Sequence, residues 1–324
     1  MFTRPGHIFI YTLLSTVTLA GVGGCRKDVE TFRRYSPTLE AIRQVLQQVP
    51  DPSSKTTFSL SFVKEDKVLV TQNGVRIFLT DTDNLFADAN GTPVPCSTCQ
   101  NLKLEVNEAL DKGDIIALGT PTISTSGELI ESGGIVHIVV SCDGKPLQLL
   151  SNRKLKIQIP ADNPVDKMKV FNGLVTNDNF IGWENTGQPV YQAEWLSDNM
   201  DLVQGYEILT PLLAWVNAGM VLNEPSTTFC VALPDSFNPE NTTVYLVVKN
   251  TRSVVFLEYN TSERSFCYYS APIGYSVKIV TVSQTPDGRF WLGNKDTEIG
   301  TDATVSVAPE QLSELQLLDF LKSL

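Results

Sequence analysis

From Lys55 onward the chain alternates apolar and polar side chains in short runs, and this period of two restricts the fold more than any other feature. Phe58, Leu60 and Phe62 share one face of a run, as do Leu102, Leu104 and Val106, and again Leu155, Ile157 and Ile159. Successive side chains of a strand point to opposite faces, so these runs describe strands with one face on a core and one in solvent, as in antiparallel sheets. Gly, Asn, Asp and Pro punctuate them. D-A-N-G at Asp88–Gly91 and S-C-D-G at Ser141–Gly144 supply the residues that accept positive φ in tight connections. Alternation returns at Thr228–Leu233, Val244–Val248, Val277–Val282 and Thr304–Val307.

Helical spacing occurs near the two ends. Leu39, Ile42, Leu46 and Val49 recur between Ser36 and Pro50, and Leu312, Leu315, Leu318 and Leu321, with Phe320, follow Pro309. Pro309 suits a first helical position, and Glu310 and Glu314 favour a helix start. The expected fold is mainly β: two antiparallel β-sandwich-like domains with short N- and C-terminal helices. Between Pro160 and about Pro225 the chain is rich in Asn, Asp, Gly and Trp, and periodicity does not fix its elements. No internal repeat or low-complexity tract is present.

Ahead of the sheets, Met1–Gly24 carries Arg4, an apolar run from Ile8 to Leu19, and small residues from Ala20 to Gly24 immediately before Cys25. That is the layout of a secretory signal peptide. The run is interrupted by Thr and Ser and is shorter than the roughly 20 apolar residues of a spanning helix. V-G-G-C, Val22–Cys25, resembles the lipobox of bacterial lipoproteins, in which cleavage exposes a cysteine that carries the lipid. The resemblance implies that Cys25 is an acylated anchor holding an otherwise soluble chain, at about 0.8 kcal/mol per buried CH₂. C-R-K-D-V-E, Cys25–Glu30, is similar to the export tags of bacteroidete surface lipoproteins. The expected segments are a signal peptide over 1–24, a tether and short helix over 25–54, a first β-sandwich over 55–165, a second β-rich domain over 166–308, and a C-terminal amphipathic helix over 309–324.

Of 25 basic and 36 acidic side chains the leader holds Arg4 alone, so the mature chain carries a net charge of −12. Such a surface repels phosphate backbones, and no basic run offsets it, so nucleic acid is excluded as an expected partner. The mature chain, within a sequence that is 42% hydrophobic, is long enough to build a core in each of two domains.

The order of several motifs resembles one family of sandwiches. V-R-I-F-L through F-A-D-A-N-G-T-P-V, Val75–Val94, precedes L-K-L-E-V-N-E-A-L-D-K-G-D-I-I, Leu102–Ile116, and then T-P-T-I-S-T-S-G-E-L-I-E-S-G-G, Thr120–Gly134. This series resembles the β-sandwich shared by ankyrins, netrin receptors and zonula occludens proteins, in the version carried by bacteroidete lipoproteins. Ser132-Gly133-Gly134 is read as a sharp turn before the strand Ile135–Val140. Trp215–Gly219, Val231–Phe237, Asn241–Lys249 and Pro272–Val282 are similar to the C-terminal region of those lipoproteins. The family implies no activity. Self-cleavage at a His-Phe-Ser site in some eukaryotic relatives is not carried over, because that tripeptide does not occur.

Candidate chemistry is sparse. His137 is the sole histidine after the leader and lies in the apolar run I-V-H-I-V, where a core role outweighs a base. Cys96 and Cys99 form C-S-T-C, without the second pair or histidines that a zinc site needs. Five cysteines, 96, 99, 142, 230 and 267, remain besides the anchor, so one stays unpaired; Cys230 with Cys267 is one pairing open to neighbouring strands. Asp81, Asp83 and Asp88 offer hard oxygens to calcium, but their spacing lacks the glycine and glutamate of an EF-hand loop. Trp183, Tyr191, Trp195, Tyr206 and Trp215 concentrate in the middle segment, where Trp183 and Trp195 are the candidate stacking residues for a sugar.

The expected function is that of a lipid-anchored outer-membrane, surface-exposed protein acting as a non-enzymatic interaction or structural module without a cofactor, its specific role not fixed by the sequence and its candidate partner an envelope protein or glycan. The alternatives are a carbohydrate-binding accessory lipoprotein and a carboxylate-based hydrolase with two acids roughly 5 to 9.5 Å apart.

Overall fold

The computed structural model describes residues 37–50, 54–176, 179–301 and 303–324. Cys25, with the rest of the leader and tether, lies outside the described residues. The chain is mainly β, with short helices α1 (Pro37–Leu46), α2 (Lys112–Leu118) and α3 (Glu314–Lys322). No helix among the described residues is long and apolar enough to cross a membrane.

The strands form two sandwiches. In the first, a seven-stranded sheet has the order Lys55–Leu60, Leu102–Ala109, Ile130–Cys142, Trp215–Val221, Lys169–Thr176, Asn179–Pro189, with Lys145–Pro146 as a side strand. It faces a five-stranded sheet ordered Tyr191–Leu196, Leu202–Thr210, Leu155–Pro160, Arg76–Leu79, Lys67–Val70. The alternation seen in the sequence is realised: Leu102, Leu104 and Val106 from one sheet and Ile77, Leu155, Ile157 and Ile208 from the other are fully buried in one core. Each such side chain contributes about 1.5–3 kcal/mol.

The second sandwich pairs a four-stranded sheet, Glu258–Asn260, Ser265–Pro272, Ser226–Ala232, Ala303–Ser306, with a five-stranded one, Val254–Phe256, Thr242–Val248, Ser276–Gln284, Phe290–Glu298, Glu310–Leu312. Phe229, Val231, Leu246, Val255, Val277 and Ile279 fill its core.

The strands do not divide at residue 165. Lys169–Thr176, Asn179–Pro189 and Trp215–Val221 hydrogen-bond into the same sheet as Ile130–Cys142, and Tyr191–Leu196 and Leu202–Thr210 extend the sheet of Leu155–Pro160. The first sandwich therefore draws on residues 55–221. Period-two runs report that a segment is a strand and not which strand it pairs with, so the boundary expected at 165/166 is corrected to one after Val221.

The helices do not bracket the sandwiches; they fill the space between them. Ile42, Val45 and Leu46 of α1, Ile115 and Ile116 of α2, and Leu317 and Leu321 of α3 share a third core with Ile130, Phe171 and Trp183 of the seven-stranded sheet and Tyr245, Val280 and Val282 of the second sandwich. The α2–α3 approach is close enough that a Cβ on Gly113 would lie 2.3 Å from the Leu321 carbonyl oxygen. The C-terminal helix starts later than Pro309. Glu310–Leu312 pairs as a strand with Phe290–Leu292, and Ser313 then caps α3 in a capping box with Gln316.

Ser132-Gly133-Gly134 is not a turn. It lies within the continuous strand Ile130–Cys142, at a register shift opposite Ala218 and Gly219. Gly134 has φ +141°, and a Cβ on Gly133 would meet the Tyr206 ring at 2.4 Å. The glycines there serve a bulge and a close approach between sheets.

Candidate functional site

The aromatic candidates are structural. Trp183 is fully buried against the junction core, and its Nε1 donates to the Pro121 carbonyl at 2.9 Å. Trp195 is 8% exposed, its ring lying over Gly205, where an added Cβ would come within 2.7 Å of it. Neither ring has a free face of the size that sugar stacking needs, so both are withdrawn as stacking residues. Tyr206 is buried with its hydroxyl accepting from Val165 N, and Trp215 stacks on His137 with ring centroids 4.5 Å apart. Of the five aromatics Tyr191 is the one that is half exposed.

The three aspartates are occupied by protein donors. Asp81 pairs with Arg153 at 2.6 Å and accepts from Asn84, Asp83 accepts from Ser97 Oγ, and Asp88 accepts from the Asn90 and Thr92 N–H groups. The Thr92 N–H leads in holding the Asp88 carboxyl below its usual value. They do not come together as a ligating group among the described residues, so the calcium reading is corrected to turn capping. His137 is driven toward the neutral form by burial.

C-S-T-C is split between two fates. Cys99 bonds Cys142 across 43 residues, and Cys96 is a buried free thiol raised to about 11, first by burial and then by Asp83. Cys230 and Cys267 form the second disulfide.

Two arrangements that no motif announced carry more chemistry. The first is a cleft of about 470 Å³ lined by Ser54, Asn73, Asp111, Asp114 and Lys322, where α2 and α3 meet the first sandwich. Asp114 accepts from Ser54 Oγ at 3.4 Å and is raised to about 6, chiefly by burial and then by the charge of Asp111. Behind it stands Glu108, on the core-facing side of Leu102–Ala109 with Leu104 and Val106, and fully buried. Asn73 Nδ2 donates to its Oε2 at 2.9 Å, while Oε1 is buried without a partner. Burial, opposed by Thr71 and Asn73 and reinforced by Asp114, raises Glu108 to about 7.

The second is the outward face of the five-stranded sheet in the first sandwich. Register places Val70, Arg76, Gln158, Glu207 and Tyr191 in one row across five strands, with Val68, Phe78, Lys156 and Leu209 in the next. Arg76 Nη1 donates to Gln158 Oε1 at 3.1 Å, Gln158 Nε2 donates to Glu207 Oε2 at 3.0 Å, and Lys156 Nζ lies 3.4 Å from the same oxygen. Lys156 Nζ also sits 4.0 Å from the Phe78 ring centroid, and the Arg76 guanidinium is 5.3 Å from it. The opposite side of the same strands is the core, so this row is held on a rigid base. Gln158 is only 6% exposed and braces the row from within, while part-exposed Arg76, Lys156 and Glu207 present charge beside Phe78 and Tyr191, a composition that recognition surfaces favour. Its trace in the sequence is the polar half of R-I-F-L and L-K-I-Q-I-P; the pairing that lines the residues up is not written there.

No family model matches the sequence, and no curated protein matches it. Among solved structures the gamma-CGTase of alkalophilic Bacillus clarkii is similar over 79% of this chain and 41% of its own length, at 11% identity and a TM-score of 0.19. At that level the similarity assigns neither fold nor function, and the site stands on its own geometry.

Proposed function

We propose that the protein is a lipid-anchored module of a bacterial outer membrane, of the bacteroidete lipoprotein type, that binds an envelope protein or glycan without catalysing a reaction. The recognition surface in this reading is the outward face of the five-stranded sheet. The observation that carries it is the row Arg76–Gln158–Glu207, cross-bonded in advance and flanked by Phe78 and half-exposed Tyr191. Side chains already fixed by one another lose little freedom on binding, which is where preorganised surfaces gain affinity. The anchor rests on V-G-G-C and places no demand on the described fold.

The test pairs two variants. Cys25→Ser is expected to leave the membrane pellet after a carbonate wash. Arg76→Ala with Tyr191→Ala, in the anchored protein, is expected to lose whatever co-purifies from envelopes or binds on a glycan array. Retention of Cys25→Ser in the pellet defeats the anchor, and unchanged capture by the double variant defeats the surface.

One observation favours a second reading, a carboxylate-based hydrolase: Asp114 lines a cleft with Glu108 buried behind it, and both are raised. Against it, Glu108 is sealed from solvent and already accepts from Asn73, so of the two raised acids a substrate meets Asp114 alone. Turnover of envelope polysaccharide by purified protein, abolished by Asp114→Asn, would establish this reading over the first.

A further inference from the structure

On the four-stranded sheet of the second sandwich, Cys230 and Cys267 occupy directly opposed positions on antiparallel strands, with Cα atoms 4.1 Å apart. Their neighbours Phe229, Val231, Phe266 and Tyr268 belong to the core, so alternation turns both sulfurs to the outer face of the sheet. Both cysteines are nevertheless buried. Glu263 contributes to that cover. It lies in the four-residue turn 261–264, where Asn260 Oδ1 accepts from the Ser262 and Glu263 N–H groups and Arg264 takes a left-handed φ of +51°. One carboxylate oxygen of Glu263 is thereby set 3.6 Å from Cys230 Sγ and 3.8 Å from Cys267 Sγ. Ser265 Oγ lies 3.4 Å from Cys267 Sγ.

A carboxylate only accepts hydrogen bonds, and a disulfide has no proton to give, so the placement gains nothing from the oxidised pair. It makes sense for the reduced one. Two thiolates and a carboxylate oxygen, with ligand atoms all within 4.8 Å of one another, are a borderline-soft donor set. Such a set suits zinc and similar divalent ions and disfavours calcium and magnesium, which take oxygen alone.

We propose that Cys230, Cys267 and Glu263 form a redox-gated site for a zinc-class divalent cation, opened when a dithiol reduces the disulfide. In that step the dithiol gives up two electrons and two protons and closes to its own disulfide. The Cys230–Cys267 bond takes up both electrons and both protons and becomes two thiols. The cation then displaces the two thiol protons to solvent and is held by two sulfurs and one Glu263 oxygen, with a fourth position left for water. Backbone pairing of Phe229 with Tyr268 and Val231 with Phe266 keeps the two strands in register once the sulfur bond is gone.

The test is a cobalt titration of the full protein after treatment with dithiothreitol and anaerobic desalting. One equivalent of Co²⁺ is expected to give thiolate-to-cobalt charge-transfer absorption, displaced by Zn²⁺, and the untreated protein is expected to give none. Cys230→Ser and Cys267→Ser should each lose the absorption. Glu263→Gln, a change at an exposed turn, should weaken binding about tenfold or more, in line with the loss of one ligand. The combined Cys96→Ser, Cys99→Ser, Cys142→Ser variant should keep the absorption. No cobalt–thiolate band in the reduced protein, a band that survives Cys230→Ser, or a β-sheet circular dichroism signal lost on reduction each overturns the proposal, the last because the site requires the strands to stay paired.

Discussion

Glu108 and Glu207 are both strand glutamates of the first sandwich, and their surroundings are opposite. Glu108 faces inward with Leu104 and Val106, has one oxygen bonded to Asn73 and the other bonded to nothing, and is raised to about 7 by burial. Glu207 faces outward and shares its Oε2 between Gln158 and Lys156 in a row five strands wide. Inside, desolvation decides the protonation state, and the group costs stability whenever it is forced to ionise. Outside, cross-bonding to Gln158 and Lys156 decides the geometry of the group. Sheet faces thus sort the same residue type into a desolvated structural liability and an outward, cross-bonded group.

The sharpest separation of inside from outside should come from the two aromatic positions of the middle segment. Trp183→Ala is expected to lower stability by about 3–5 kcal/mol, because it empties a fully buried ring from the junction core and orphans the Pro121 carbonyl. Tyr191→Ala should change stability by about 0.5 kcal/mol or less. Urea denaturation of the two variants measures both, and equal losses would dissolve the distinction.

Next in size is a pH effect. The Glu108 carboxyl is raised from 4.5 unfolded to about 7 folded, so between those values the folded chain holds a proton that the unfolded chain has released. Stability therefore falls as pH rises from about 4.5 through 7 and levels off above, by about 3 kcal/mol for this group. Asp114, raised from 3.8 to about 6, adds to the same trend at its lower end. Glu108→Gln should flatten most of this dependence and stabilise the protein at pH 8. Denaturation midpoints taken across that range check it, and an unchanged slope in Glu108→Gln assigns the effect elsewhere.

Gln158 is only 6% exposed and bridges Arg76 and Glu207, so Gln158→Ala should cost about 1–3 kcal/mol of stability, the scale of a buried hydrogen-bond partner lost, while weakening partner binding about tenfold. A stability loss without a binding loss would make the row a structural brace. Smallest of all is Asp81→Ala. Its ion pair with Arg153 is exposed, so the cost is below about 1 kcal/mol, and millimolar calcium should leave the melting temperature of wild type and variant unmoved.

The sequence showed the β class, both terminal helices and the turns at Asp88–Gly91 and Ser141–Gly144, where Gly91 and Gly144 take φ values of +81° and +80°. Those features are local: periods of two and 3.6, and residues suited to positive φ. What was not legible depends on pairing. Arg76, Gln158 and Glu207 are far apart in the chain and meet only because three strands lie side by side; α2 is too short to show its periodicity; and the helices at the ends carry no mark that they pack into one junction. Trp183 and Trp195 illustrate the converse. A cluster of aromatics beside Asn and Asp reads equally as a binding face or a core; Trp183 went to the junction core, and Trp195 lies covered on the outward face with the Arg76 guanidinium 6.0 Å from its ring centroid.

The central claim is that the outward face of the five-stranded sheet meets the partner. A photo-crosslinking residue introduced at position 191 and, separately, at 269 compares it with an equally exposed tyrosine on the second sandwich, since Tyr191 and Tyr269 are 53% and 55% exposed. Irradiation in intact cells is predicted to give a discrete adduct from position 191 and none from 269. No adduct from 191, or the same adduct from both positions, would contradict the account.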